Sequence, residues 1–305
     1  MGQAALLACD WGTTNLRAWT LDADGRIVQE RDFDLGVSKL GAGEAARRFH
    51  DEVRPAFGAE GLPAILCGMI GSNLGWTVAP YVDCPAGLGD LAQGLVEVES
   101  GQAGARIIPG MRSEGAVGAT DVMRGEETQL FGWLAQHPER ARGRHVVCHP
   151  GTHAKWMIIE DGRLVRFATA MTGELFAVLG KHSVLKSDAP ATDEDAFAEG
   201  LRAAGDGNAL AARLFSARTR VVGQGKPAES TPSYLSGLLL GAEAASMPRL
   251  LDLDDREPIA VLGDAKLCQL YRKALESRGL ETEFFDGEAA AIAGLFTLHE
   301  MGAQS

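Results

Sequence analysis

The sequence predicts an α/β protein built as two related lobes, with a cleft between them. Three observations carry this expectation. Strand-like apolar runs alternate with segments of helical periodicity along the chain. Each half opens with the same device: Gly12-Thr13 recurs as Gly151-Thr152, and Asp24-Gly25 recurs as Asp161-Gly162 at nearly the same offset. The length of 305 residues suits two lobes of ordinary size or one large domain.

The elements follow in order. A strand near residues 4–9 leads into the Gly12-Thr13-Thr14 turn, and a second strand covers 16–21. Asp22-Ala23-Asp24-Gly25 supplies hairpin-turn residues before a third strand over 26–33. Apolar spacing predicts a helix over 43–57, and a strand over 63–67 ends in Gly68. The second half repeats the pattern, with strands over 144–148, 155–159 and 163–169 and turns at Pro150-Gly151-Thr152-His153 and Glu160-Asp161-Gly162. Strands over 258–262 and 281–285 alternate with helices over 265–277 and 288–298. The stretch 192–247 reads as a helical insertion in the second half.

Composition narrows the function classes. The hydrophobic fraction of 46% supports well-built cores, and the formal net charge is −12 with no long basic run. A nucleic-acid partner is not expected, because neutralising a phosphate backbone takes clustered Lys and Arg. The five cysteines form no CxxC pair and read as small core residues in a reducing compartment. No signal peptide, membrane-length apolar run or myristoylation pattern (Leu6 stands where Ser or Thr is needed) is apparent, so the sequence reads as cytoplasmic, with no membrane partner. A homodimer is compatible with this reading.

The paired turns point to ATP. A glycine turn lets backbone N–H groups face a phosphate unobstructed, and a Thr hydroxyl adds a donor. Two such turns, one per lobe, can grip a polyphosphate from both sides. Asp10, two residues before Gly12 at a strand end, is placed to hold Mg²⁺ beside the phosphates. Other signatures do not compete. Gly223-Gln224-Gly225-Lys226 lacks P-loop spacing, and Gly41-Ala42-Gly43 reads as a helix start. Pro150 and Gly151 forbid a helical zinc pair of His149 and His153, and no GxSxG elbow surrounds Ser72 or Ser236.

Asp10-Trp11-Gly12-Thr13-Thr14-Asn15-Leu16-Arg17-Ala18-Trp19 resembles the opening of the 2-dehydro-3-deoxygalactonokinases. So do Gly68-Met69-Ile70-Gly71-Ser72-Asn73-Leu74-Gly75-Trp76, Ile107-Ile108-Pro109-Gly110 and Met123-Arg124-Gly125-Glu126-Glu127-Thr128-Gln129-Leu130. Pro150-Gly151-Thr152-His153-Ala154-Lys155-Trp156 and Met171-Thr172-Gly173-Glu174-Leu175 complete the match; the rest of the chain resembles the family more loosely. The resemblance implies the fold of the actin, hexokinase and sugar-kinase superfamily: two ribonuclease-H-like lobes, here 1–122 and 123–305 with the last helix able to cross back, and the nucleotide in the inter-lobe cleft. It also implies that a sugar acid, 2-dehydro-3-deoxy-D-galactonate, is phosphorylated by ATP on its 6-hydroxyl in galactonate catabolism.

Roles follow from that implication. The superfamily places a general base at the start of a helix between the two phosphate turns, which here is the stretch 121–136 with Asp121, Glu126 and Glu127. A helix N-terminus favours an ionised carboxylate. The resemblance centres on 123–130, which favours Glu126 or Glu127 over Asp121. Arg17, Arg112 and Arg124 are candidates for the substrate carboxylate, with Arg124 first. Ser72, Asn73 and Trp76 offer polar partners and a platform for the polyol. Thr14, His153 and Lys155 join Gly12, Thr13, Gly151 and Thr152 at the phosphates, and Gly263, before Asp264, matches the adenosine turn of the superfamily. Competing readings are a kinase of another sugar or sugar acid, a phosphatase or polyphosphate hydrolase on the same fold, and an ATP-binding regulator.

Overall fold

The computed structural model describes residues 2–99, 103–254 and 257–303. The first half contains strands β1 (Leu6–Trp11), β2 (Leu16–Leu21), β3 (Ile27–Phe33), β4 (Ala64–Gly68), β5 (Tyr81–Asp83), β6 (Val96–Val98), β7 (Ala105–Ile107), β8 (Gly110–Glu114) and β9 (Thr120–Met123). The second contains β10 (Arg144–His149), β11 (Ala154–Glu160), β12 (Arg163–Ala170), β13 (Ile259–Gly263) and β14 (Thr282–Asp286).

The expected duplication is present in the topology. One sheet runs β3-β2-β1-β4-β7-β6 and another runs β12-β11-β10-β13-β14. In each, the first three strands of the half form an antiparallel meander, and the strand that follows pairs parallel to the first of them: β4 with β1, β13 with β10. A third sheet, β5-β8-β9, lies beside the second. It docks there through an antiparallel bridge between Ala86 and Leu164.

Packing explains why β1 is apolar on both faces. Leu6 and Ala8 point into a central core, while Leu7 and Cys9 point into an outer one, as the period of two demands. The central core lies between the two main sheets. It is filled by Leu130 and Phe131 of the Glu126–Gln136 helix and Ala290 and Leu295 of the Gly287–Ala303 helix. These two helices pack against each other, and the second also touches β1, β4, β13 and β14. The outer core of the first sheet holds Phe49 and Val53; that of the second holds Met247 and Tyr271. Cys9, Cys67, Cys148 and Cys268 are buried and unbridged. No helix among the described residues is long and apolar enough to cross a membrane.

Two expectations need correction. The helix over 43–57 is interrupted: Glu44–Arg48 passes through a π turn, Phe49–Val53, into Arg54–Phe57. Pro55 follows the π turn and cannot donate to the ladder, which accounts for the widened register. The stretch 121–136 is not one helix. Residues Thr120–Met123 form β9, and the helix begins only at Glu126. The insertion is four helices, Glu194–Ala203, Leu210–Leu214, Ser216–Val222 and Thr231–Leu250. Strands β5 to β9 were not expected: β5, β6, β7 and β9 are only three or four residues long, and β8 (Gly110-Met111-Arg112-Ser113-Glu114) holds a single large apolar residue, so none carries an apolar run.

Candidate active site

The first turn is braced from behind. Gly12 N–H donates to Asn15 O at 2.9 Å, which closes it. The segment after β3 then crosses it: Gly36, Val37 and Ser38 N–H donate to the carbonyls of Thr14, Gly12 and Thr13, each at 3.1 Å. The Ser38 hydroxyl adds a second bond to Thr13 O at 2.7 Å. With the carbonyls engaged, no backbone bond among the described residues uses the Thr13 or Thr14 amide. Both threonines are exposed. A turn whose backbone N–H groups are not engaged can take an anion. A Cβ at Gly36 would fall 2.0 Å from the Thr14 carbonyl carbon, so only glycine admits the crossing.

The second turn is braced by a helix. Glu174 N–H donates to Thr152 O at 2.9 Å. A Cβ at Gly173 would come within 2.5 Å of Gly151 O. His153 Nε2 meets Glu174 Oε2 at 2.5 Å on the surface. Lys155 turns inward and is 4% exposed. Its Nζ lies 3.6 Å from Glu126 Oε1 and 3.5 Å from His153 O.

Between the turns stand four acids of different character. Asp10 ends β1 and lines two adjoining cavities. Desolvation pushes its carboxyl up to about 6, against the Cys67 thiol hydrogen bond and the charge of Arg17, with Glu126 adding repulsion. Glu126 opens its helix beside Asp10, half-buried, and accepts from Arg124 N–H at 3.1 Å. Glu127 is fully buried, and both its oxygens accept from Gly125 N–H at 2.8 and 2.7 Å. Burial, then the neighbouring Glu126, pushes it up to about 7. Asp121 sits on β9, where its carboxylate accepts from Thr169 N–H and the Thr169 hydroxyl, both at 2.7 Å. Glu126 is thus the acid of this group that opens the helix with its carboxylate unspent on a buried cap. Glu127 caps its own helix, and Asp121 ties β9 to β12.

The residues expected at the sugar acid are dispersed. Arg124 donates through Nη2 to Ala79 O at 2.8 Å and lies 4.5 Å over the Tyr81 ring, while its buried Nε and Nη1 have no hydrogen-bond partner among the described residues. Ser72 is turned back to Met69 O at 2.7 Å, and Asn73 is exposed. Trp76 is half-buried against Phe49, at 5.4 Å between rings. Arg17 stands apart from this loop: it pairs with Glu288 at 2.8 Å and Asp32 at 3.1 Å and lines the cavities beside Asp10. Arg112 is engaged by both oxygens of Asp83.

The cavity between the lobes, about 400 Å³, is lined by Asp10, Arg17, Gln129, His149, Gly263 and Asp286, among others. Its neighbour, about 580 Å³, reaches over Gly12, Thr14 and Asn15. Both have the dimensions of small-molecule sites. A larger one, about 780 Å³, lies between the three-stranded sheet and β12 around Cys84 and Arg112 and holds none of the phosphate-turn residues.

The cleft also contains residues that the sequence reading gave no role. Gly36 to Ser38 carry no motif. Gly173 and Glu174 lie in a recognised run without an assigned task. His149 enters only as half of an excluded zinc pair, yet it precedes Gly151 by two residues as Asp10 precedes Gly12, and that correspondence marks it. Its Nε2 contacts Gln129 Oε1 at 2.8 Å, and burial lowers its basicity.

A family profile described as 2-keto-3-deoxy-galactonokinase matches residues 10–298. A Rhizobium meliloti protein provisionally named 2-dehydro-3-deoxygalactonokinase is 36% identical over 298 residues, covering 94% of each chain. The 2-dehydro-3-deoxygalactonokinase of Escherichia coli is 35% identical over 297 residues, covering 96% of each. A crystal structure provisionally assigned to the same activity in Sinorhizobium meliloti superposes with a TM-score of 0.86 at 34% identity, over 97% of this chain and 98% of that one. A Porphyromonas gingivalis structure, provisionally an N-acetylglucosamine kinase, shares the fold at a TM-score of 0.51 and 14% identity, over 96% and 99%. The chain belongs to the 2-keto-3-deoxy-galactonokinase family.

Proposed function

We propose that the protein transfers the γ-phosphoryl group of ATP to the 6-hydroxyl of 2-dehydro-3-deoxy-D-galactonate, with Glu126 as general base. The observation that carries the assignment is the place of Glu126. It opens a helix between the two braced Gly-Thr turns, beside Asp10 and 3.6 Å from Lys155. The lobes are taken as residues 1–122 and 123–305.

The reaction is an in-line displacement. The 6-hydroxyl oxygen bonds to the γ-phosphorus as the bond to the β,γ-bridging oxygen breaks, and the hydroxyl proton passes to Glu126. The amides and hydroxyls of Gly12, Thr13 and Thr14 hold phosphate from one lobe; Gly151, Thr152 and His153 hold it from the other. Lys155 offsets charge near Glu126. Gly263 borders the adenosine. Arg124, Ser72, Asn73 and Trp76 form the sugar-acid side, while Arg17, locked to Glu288, serves the wall of the nucleotide cavity.

Asp10 suits Mg²⁺. It is desolvated, faces a second carboxylate and gains from a cation. Among the described residues no group of three His, Cys, Asp or Glu could cage a metal. That fits an ion held by one carboxylate together with phosphate oxygens and water. Bound there, it would neutralise charge on the transferring phosphates.

A panel of sugars and sugar acids, assayed by coupled ADP release with the product's phosphorylated carbon identified by phosphorus–proton NMR, tests the reading. The expected result is preferred turnover of 2-dehydro-3-deoxy-D-galactonate with the phosphate on C6. Preference for another acceptor, or phosphate release without any acceptor, overturns it.

A further inference from the structure

The second lobe contains a buried carboxylate with no cation beside it among the described residues. Glu243, on the Thr231–Leu250 helix, is 5% exposed. Its Oε1 accepts from Trp156 Nε1 at 2.7 Å, and its Oε2 accepts from the Tyr271 hydroxyl at 3.0 Å. The Thr172 hydroxyl stands beside the same carboxylate. Burying a carboxylate is costly unless its lone pairs are filled, and here two neutral donors, Trp156 and Tyr271, serve its two oxygens.

The two donors and Thr172 come from three separate elements, and each leads to the nucleotide cleft. Trp156 follows Lys155 on β11, the strand leaving the second Gly-Thr turn. Thr172 begins the Thr172–His182 helix, whose next two residues are seated against that turn: Gly173 touches Gly151 O, and Glu174 N–H donates to Thr152 O. Tyr271 lies on the Ala265–Glu276 helix, which starts directly after Gly263 and Asp264 on the cavity wall. One carboxylate therefore joins the phosphate turn, the helix bracing it and the helix that starts at the turn beyond β13.

We infer that Glu243 is a positioning residue for ATP, fixing the Gly151-Thr152 turn relative to the Gly263 turn through its bonds to Trp156 and Tyr271. The inference rests on the reading that ATP spans these two turns. It assigns Glu243 no contact with the nucleotide and no part in binding the sugar acid.

The test compares Tyr271→Phe, which removes one donor and keeps the ring, with Glu243→Gln and the double variant. Loss of one buried bond corresponds to an effect of about threefold to tenfold. Tyr271→Phe is expected to raise KM for ATP and the calorimetric Kd for ADP by such a factor, with KM for the sugar acid unchanged. The double variant is expected to match Glu243→Gln alone, since both act through one contact. If both KM values rise together, or if only the thermal midpoint falls while ADP affinity holds, the inference is overturned. ADP affinity reads the positioning role whatever the acceptor, so a wild type that fails to phosphorylate the sugar acid defeats the proposed function and leaves this inference standing. Should Glu243→Gln not fold, Tyr271→Phe decides alone.

Discussion

Lys155 Nζ lies 3.6 Å from Glu126 Oε1, and this contact spans from β11 to the start of the central helix. Both side chains are largely withdrawn from solvent, at 5% and 21% exposure. The pair brings a cation from behind the second phosphate turn up to the acid at the centre of the cleft. A fixed charge in a water-poor site acts on developing charge far more strongly than one in water.

Removing that cation should therefore affect the chemical step. Lys155→Met is expected to lower kcat by about 10², with a smaller change in KM for the sugar acid. Steady-state kinetics with both substrates varied checks it.

Asp10 and Glu127 make the ligand-free protein sensitive to pH. Their carboxyls titrate near 6 and 7, above the ordinary carboxylate range. Between that range and these values the folded chain binds more protons than the unfolded chain. Stability contributed by these groups is greatest at low pH and falls as pH rises from about 4 to about 7. Urea unfolding at pH 5 and pH 8 should show Glu127→Gln losing less stability over that interval than wild type.

Asp10→Asn should uncouple nucleotide from metal. Calorimetric ADP affinity in the wild type is expected to rise with added Mg²⁺. In Asp10→Asn that gain should largely disappear, while affinity measured in excess chelator stays near the wild-type value.

The brace behind the first turn is testable through Gly36. A methyl group there meets the Thr14 carbonyl carbon at 2.0 Å, so the crossing segment must move. Gly36→Ala is expected to cost about 1–3 kcal/mol of stability and to weaken ADP binding. Denaturant midpoints and titration calorimetry read the two effects separately.

The duplication was legible because it is written in turn chemistry: a glycine followed by threonine, then an acidic residue followed by glycine, repeated in each half. Strands β1 to β4 and β10 to β14 follow from apolar runs bounded by such turns. Strands β5 to β9 carry no such run: four of them are three or four residues long, and β8 has only Met111 as a large apolar residue. At the site, the sequence left Glu126 and Glu127 equivalent. Their neighbours separate them, since Glu127 closes on Gly125 N–H and Glu126 faces Lys155. Asp121 was assigned to a helix because 121–136 carries acids and apolar residues without a break, and nothing local signals that Thr169 claims its carboxylate. Arg17 lies in the opening motif, but its partner Glu288 is at the far end of the chain, and only folding brings them together.

The central claim, that Glu126 takes the proton of the accepting hydroxyl, is tested most directly by assaying Glu126→Gln, Glu127→Gln and Asp121→Asn side by side for ADP release with 2-dehydro-3-deoxy-D-galactonate, each with its ADP affinity measured. The account predicts that Glu126→Gln loses at least about 10²–10⁴ in kcat with ADP affinity unchanged, and that Asp121→Asn retains most of its turnover. Near-normal kcat in Glu126→Gln, or loss of turnover in Asp121→Asn alone with ADP still bound, would contradict it.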